Sequence, residues 1–312
     1  MKSGNFRHFI RKIYIAIDKN NYLCYTLGSK IAFVAPLCGR MEKCQMTIGF
    51  IGAGHMASSL ISGIVSSGDF RKKDIYIYDV KEDVRQKYLD EGFNVVASEA
   101  ELVLTSNIVF LCIRQPELPA VLSAVRSVIT SKNVIVSVVA GISIGFIKAV
   151  IGQECKVIRS MPNMPASVCK GATAISYDMP ITYAELNKVK EIFETIGIVE
   201  ILPEEQMNEV ISVSSSSPAY VYMLMRAMVE GGVQQGMDKD TAETLVYETV
   251  AGSVEYAKSC GKSLDEIIAS ICSPNGTTIR AVDYLEKKGF EQAVKDAMLV
   301  CTKRAYMLEK EI

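Results

Sequence analysis

The 312-residue chain has no tryptophan and only two histidines, His8 and His55. Nothing after residue 55 can act as a histidine acid or base, which excludes hydroxyacid oxidations that depend on one in a downstream catalytic domain. No apolar run approaches the length of a membrane span. The nine cysteines are odd in number and none stands in C-x-x-C or similar ligand spacing. That argues against a disulfide framework and a metal site, and for reduced thiols in a cytoplasmic protein. With a net charge of −1, the bulk balance implies neither a nucleic-acid nor a membrane partner. The charge is unevenly spread. Residues 1–46 hold eight Lys and Arg against Asp18 and Glu42, so they carry +6 and the remainder carries −7.

A hydrophobic fraction of 49% beside 22% charged residues describes a packed globular chain, long enough for two domains. The first 45 residues fit no clean pattern. They are basic and apolar, but Asp18, few serines and no small-residue cleavage site argue against a targeting peptide. We expect a poorly ordered N-terminal extension over 1–45, with Met41 or Met46 as the functional start. From Met46 the pattern is regular. "MTIGFIG", "DIYIYDV", "NIVFLCI" and "NVIVSVVAG" read as strands separated by helical segments, and "CKVIRS" and "GATAISY" as two more. This alternation builds a parallel sheet. "TYAELNKVKEIFETIG" reads as an amphipathic helix ending at Gly197. After about residue 204 the chain reads as all helix. "SPAYVYMLMRAMVEGGVQQGM" is apolar on every face, which calls for burial on all sides and for helices of a second subunit to complete it. The next helix opens on capping aspartates and carries a stripe of Ala242, Leu245, Val246, Thr249, Val250, Ser253 and Ala257.

Gly49, Gly52, Gly54 and Ala57 lie where the first strand passes into a helix, the G-x-G-x-x-A form of a dinucleotide fingerprint. Such glycines let the backbone turn tightly against a pyrophosphate, and the helix N-terminus offers it free N–H groups. Ala53, His55 and Met56 belong to the same loop. Asp79 ends the second strand, where a carboxylate accepts hydrogen bonds from ribose hydroxyls and repels a 2′-phosphate. It slightly favours NADH over NADPH, with Lys81 close enough to offset it. The expected fold is an α/β Rossmann-type doubly wound domain over 46–204, followed by an all-α domain over 205–312.

"IGFIGAGHMA", "VSVVAGIS", "VIRSMPNMPASVCKGATAIS", "SSSSPAYVYMLMRAMVEGGVQQGM" and "CSPNGTTIRAVDYLEKKGF" occur in an order that resembles the pyrroline-5-carboxylate reductases. The resemblance runs from Met46 to the C-terminus. It implies NAD(P)H-dependent reduction of the cyclic imine 1-pyrroline-5-carboxylate to L-proline, and a helical domain that interlocks two subunits, sometimes in larger rings of dimers. By that resemblance Thr278 contacts the ring nitrogen, and Ser273, Gly276 and Thr277 form the turn that holds the substrate, with Glu204 a further substrate residue. Cys112, Ile113, Arg114, Glu99, Val138, Ala140 and Ser270 join the cofactor set. The chain departs from the pattern at Ser215 and Ser217, where glycines are usual, at Asn275 in place of a glycine, at Arg114 and Gln115 in place of Lys-Pro, and at Glu99 in place of an Asn. Serine is strained wherever a glycine had adopted positive φ, whereas asparagine tolerates it.

The resemblance suits the chemistry. A cyclic imine is basic enough to take a proton partly from solvent, so a hydroxyl at the nitrogen and an anion-holding turn for the carboxylate suffice. Two other readings share the frame. A β-hydroxyacid dehydrogenase would need a lysine on the long apolar helix, which offers Arg226 and no lysine. A non-catalytic dinucleotide-binding regulator would keep the fold without turnover.

Overall fold

The computed structural model describes residues 46–68 and 70–311, together with the backbone of three strands within residues 13–36. Two compact units result, Met1–Met46 and Thr47–Ile312. In the first, β1 (Ile13–Ile17), β2 (Tyr22–Leu27) and β3 (Lys30–Pro36) form an antiparallel meander, with Ile13 opposite Leu27 and Leu27 opposite Lys30. The sequence assigned no element here, because short apolar runs such as "IAFVAP" fit helix and strand alike. The expected poor ordering of 1–45 otherwise lies outside the described residues.

The second unit is built on an eight-stranded sheet. In sequence order its strands are β4 (Ile48–Ile51), β5 (Ile75–Tyr78), β6 (Asn94–Val95), β7 (Ile108–Leu111), β8 (Val134–Ser137), β9 (Lys156–Met161), β10 (Gly171–Tyr177) and β11 (Gly197–Ile201). Their spatial order is β11-β10-β9-β8-β7-β4-β5-β6. Only the β9–β10 pair is antiparallel. β4, β7 and β8 are buried along their whole length, as fully covered parallel strands require. Ile48 pairs with Ile75 on one side and Ile108 on the other. The strand order therefore reverses at β4, which opens a crevice at the carboxyl ends of β4, β5 and β7. Phe50 stacks on Phe110 at 4.8 Å, and Phe193 meets Phe110 edge-on.

Helices α1 (His55–Ser66), α2 (Glu82–Asp90), α3 (Glu99–Thr105), α4 (Leu118–Val125), α5 (Ile144–Ile151) and α6 (Tyr183–Glu194) connect the strands. The expected helix end at Gly197 is corrected: α6 stops at Glu194 and Gly197 opens β11. The cause is a close approach. Gly197 (φ +151°) runs so near Gly171 that a Cβ would lie 2.0 Å from the Gly171 carbonyl oxygen.

Beyond the sheet all is helical: α7 (Met207–Val210), a π turn (Ile211–Ser215), α8 (Ser217–Gln234), α9 (Lys239–Ser259), α10 (Leu264–Ile271), α11 (Thr277–Lys287) and α12 (Phe290–Glu309). Met207 and Ile211 pack with Met161 and Ala174 of the sheet and Ala305 of α12, so the helical part and the sheet form one unit. Asp238 caps α9 through the Thr241 N–H, as its position implied. The α9 stripe is only partly covered. Ala242 and Val246 pack on Val229 of α8, while Leu245 stays exposed. Nor is α8 buried within its own chain: Tyr222, Met223 and Leu224 are 52%, 60% and 43% exposed.

Candidate active site

The glycine loop forms one wall of the crevice. Gly52 takes φ +87°, and a Cβ there would lie 2.5 Å from the Cys112 carbonyl oxygen, so no other residue fits. Its N–H donates to the Tyr78 carbonyl at 2.8 Å. Gly54 is the N-cap of α1 and has no side chain to offer the first-turn amides of exposed His55, half-buried Met56 and buried Ala57. Those donors are left for an anion. Gly49 differs from its expected role. It lies inside β4, where a Cβ would come within 2.4 Å of Leu102 Cδ2 and of Ser106 Oγ, so helix packing explains it.

Asp79 stands just past β5, as expected, but its carboxylate is already engaged. Oδ2 accepts the Ala53 N–H at 2.8 Å and Oδ1 the Lys81 N–H at 2.9 Å. Arg85 donates to the Asp79 and Val80 carbonyls at 2.7 and 3.2 Å. Asp79 therefore fixes the glycine loop, with the Arg85 guanidinium nearby. Glu99 opens α3 next to Tyr78, whose hydroxyl is raised by burial first and by the Glu99 charge second.

Cys112 and Ile113 continue β7 into the crevice. Burial pushes the Cys112 thiol up, away from the thiolate form. The Arg114 side chain is 84% exposed and paired with Glu117, and its hydrogen bond holds the Glu117 carboxyl below the usual range. Val138 donates its N–H to the Leu111 carbonyl at 3.3 Å. Ala140 lines the apolar seam with Met161 and Ala305. The sequence reading gave no role to Gln115, whose Nε2 donates to the Leu308 carbonyl of α12. Nor did it give one to Arg159, which is 2% exposed and donates to Asn208 Oδ1 at 2.6 Å. The "RSMPN" block was legible as a motif, but no local signal names partners so far along the chain.

The second half of the site is the turn before α11. Asn275 adopts φ +61°, and Gly276 is the N-cap, its N–H donating to the Ser273 carbonyl at 3.0 Å. A Cβ on Gly276 would lie 2.4 Å from Ser273 Oγ. Like α1, α11 starts at a glycine with no capping side chain. Thr277 is exposed and Thr278 half-buried in its first turn. Ser270 is exposed, with its hydroxyl on the Ile267 carbonyl at 2.7 Å. The concern over Ser215 and Ser217 is removed: among the described residues the only non-glycine positive φ values are at Cys169 and Asn275. Glu204, expected at the substrate, instead accepts the Ile144 N–H at 2.7 Å and lies 3.5 Å from Arg159 Nη1, anchoring α5 to the seam. Among the described residues α11 packs along α12 and no extensive contact joins α10 or α11 to the sheet, so the two half-sites are not brought together there.

A mostly parallel sheet with its switch point at a glycine loop, followed by an all-helical region, defines a nicotinamide-dinucleotide oxidoreductase of the Rossmann class. The chain belongs to the pyrroline-5-carboxylate reductase family. Residues 204–308 match the family's model, described as pyrroline-5-carboxylate reductase dimerisation, and residues 47–141 match that of NADP oxidoreductase, coenzyme F420-dependent. The chain is 34% identical over 271 residues to a pyrroline-5-carboxylate reductase of Escherichia coli, covering 86% of this chain and all of the relative. It is 33% identical to one from Methanosarcina acetivorans, covering 85% and 98%. Among solved structures, the NADP-bound pyrroline carboxylate reductase of Plasmodium falciparum superposes with a TM-score of 0.79 at 26% identity, covering 85% of this chain and 98% of that one. The Streptococcus pyogenes enzyme gives 0.78 at 27%, covering 84% and 98%.

Proposed function

We propose that this protein reduces 1-pyrroline-5-carboxylate to L-proline with a reduced nicotinamide dinucleotide, in a site completed by two copies of the chain. The observation that carries the reading is that α1 and α11, two of the three described helices that start at a glycine with no capping side chain, do so at the two motifs that carry the resemblance. α1 leaves its first amides to a pyrophosphate, and α11, whose Gly276 N–H is taken by the Ser273 carbonyl, leaves the Thr277 amide and the rest of its first turn to a carboxylate. The bound cofactor supplies the hydride. The Thr278 hydroxyl holds the imine nitrogen and orients the ring, solvent supplies the proton, and the α11 N-terminus neutralises the substrate carboxylate. Asn275 takes the positive φ of this turn, a conformation that asparagine tolerates.

The turn is exposed, and so is the apolar face of α8. A homodimer that covers α8 and carries the turn of one subunit to the crevice of the other accounts for both. For the cofactor, the negative Asp79 tilts the crevice slightly toward NADH, while Lys81 and Arg85 offset it. The six described cysteines, all unpaired, suit a reducing compartment, and we place the reaction in the cytoplasm. The test is direct: purified protein, pyrroline-5-carboxylate, and NADH or NADPH, following cofactor oxidation and proline formation. Oxidation with at least one cofactor is expected; none with either would overturn the reading.

A further inference from the structure

We propose that the last turn of α12 is a positioning clamp on the nicotinamide side of the crevice, with Gln115 as its catch. The proposal rests on the reading above and adds a part of the molecule that neither half-site contains. In a sheet that reverses at β4, the adenosine half of a dinucleotide lies over β5 and the nicotinamide half over the carboxyl ends of β7 and β8. Residues 112–116 and 138–141 follow those two strands, and α12 ends against both.

Three contacts converge there. Gln115 Nε2 donates to the Leu308 carbonyl, in a final turn whose carbonyls lack ordinary intrahelical partners; the Glu311 N–H, at 3.2 Å, is its other donor. Gly141 is buried at φ +71°, and a Cβ on it would lie 2.9 Å from the Ala305 carbonyl oxygen and from Leu308 Cβ. The 138–141 backbone thus rests directly on the helix. The third contact runs through the seam. Asn208 Nδ2 donates to Glu309 Oε2 at 3.2 Å, while Asn208 Oδ1 accepts from Arg159 Nη2 at 2.6 Å. Next to Arg159, the Ser160 hydroxyl donates to the carbonyl of Ser137, the last residue of β8, at 3.1 Å. The helix end is therefore tied to both strand ends over which a nicotinamide ring would lie. None of these groups need touch the ring. They set where its floor and wall stand, and hydride transfer is steeply sensitive to that placement.

The experiment compares the parent protein with Gln115→Ala and with Gln115→Lys, which keeps a long donor at the same place. Gln115→Ala is expected to lower kcat on the order of tenfold, with cofactor Kd within about twofold of the parent and a larger primary isotope effect from deuterated reduced nicotinamide. Gln115→Lys is expected to restore most of kcat. An unchanged kcat in Gln115→Ala, equal loss in both variants, or a cofactor affinity that falls with kcat would overturn the clamp. If the parent itself shows no turnover, the functional reading fails separately. Amide hydrogen exchange then decides the clamp: Gln115→Ala should expose residues 138–142 to exchange and leave 48–57 unchanged, and unchanged exchange at 138–142 would sink it.

Discussion

Gly49 and Gly52 stand in one motif, yet a methyl group would meet different neighbours at each. At Gly52 it meets the Cys112 carbonyl backbone at 2.5 Å with φ already at +87°, and nothing there can yield. At Gly49 it meets the end of the Leu102 side chain and Ser106 Oγ, both at 2.4 Å. Gly49→Ala should therefore act as an overpacking change, costing about 1–3 kcal/mol. Thermal or urea unfolding would show the loss, with cofactor affinity of the folded protein unchanged; weakened cofactor binding at full stability would return Gly49 to the phosphate loop. Asp79 invites a similar separation, because its carboxylate holds the Ala53 N–H and sets the charge of the ribose site. Asp79→Ser keeps an acceptor for Ala53 and removes the charge. The ratio of kcat/KM for NADPH over NADH should rise at least roughly tenfold, since one charge repulsion at ~4 Å is worth about 1 kcal/mol in water and about 4 kcal/mol at an effective dielectric of ~20. An unchanged ratio would confine Asp79 to holding the loop.

Helices α1 and α11 show how an element can be shaped by what its cap lacks. α3, α5, α6, α9 and α10 are closed by the side chains of Ser98, Ser143, Thr182, Asp238 and Ser263, each worth about 1 kcal/mol to its helix. α1 and α11, like α12, begin at glycine and forgo that contribution, and first-turn amides without a capping side chain suit an anion. Thr278→Val tests α11 without altering its shape. Turnover should fall on the order of 10²-fold, the usual cost of losing one aimed donor, while cofactor Kd holds; undiminished turnover would remove the hydroxyl from the reaction. Much of this was legible in the sequence, since buried parallel strands are continuous apolar runs and Gly276 and Asn275 are turn residues by nature. β11 was not. It is half exposed, and its opening Gly197 doubles as a helix-stop signal, so only the approach to Gly171 settles which it is. The Gln115 contact was equally hidden, since it joins residues 193 positions apart that carry no local pattern.

At the scale of the molecule, sequence and structure differ on one helix and the difference is informative. An all-round apolar α8 asks for burial, yet its own chain leaves Tyr222, Met223 and Leu224 open. Burial is thus a property of the assembly, invisible to a periodicity argument that knows only one chain. The exposed turn before α11 has the same explanation if each site takes its crevice from one subunit and its turn from the other. Symmetry makes this testable by mixing. Gly52→Ala removes the crevice and spares the turn; Thr278→Val spares the crevice and disables the turn. In a twofold dimer of the two variants, one site inherits both defects and the other inherits neither. Unfolded together and refolded as an equal mixture, the two nearly inactive proteins should recover roughly a quarter of the parent's activity, since about half of the dimers are mixed and half of their sites intact. A site contained within one chain would recover nothing, and that result would return the turn to the crevice of its own subunit.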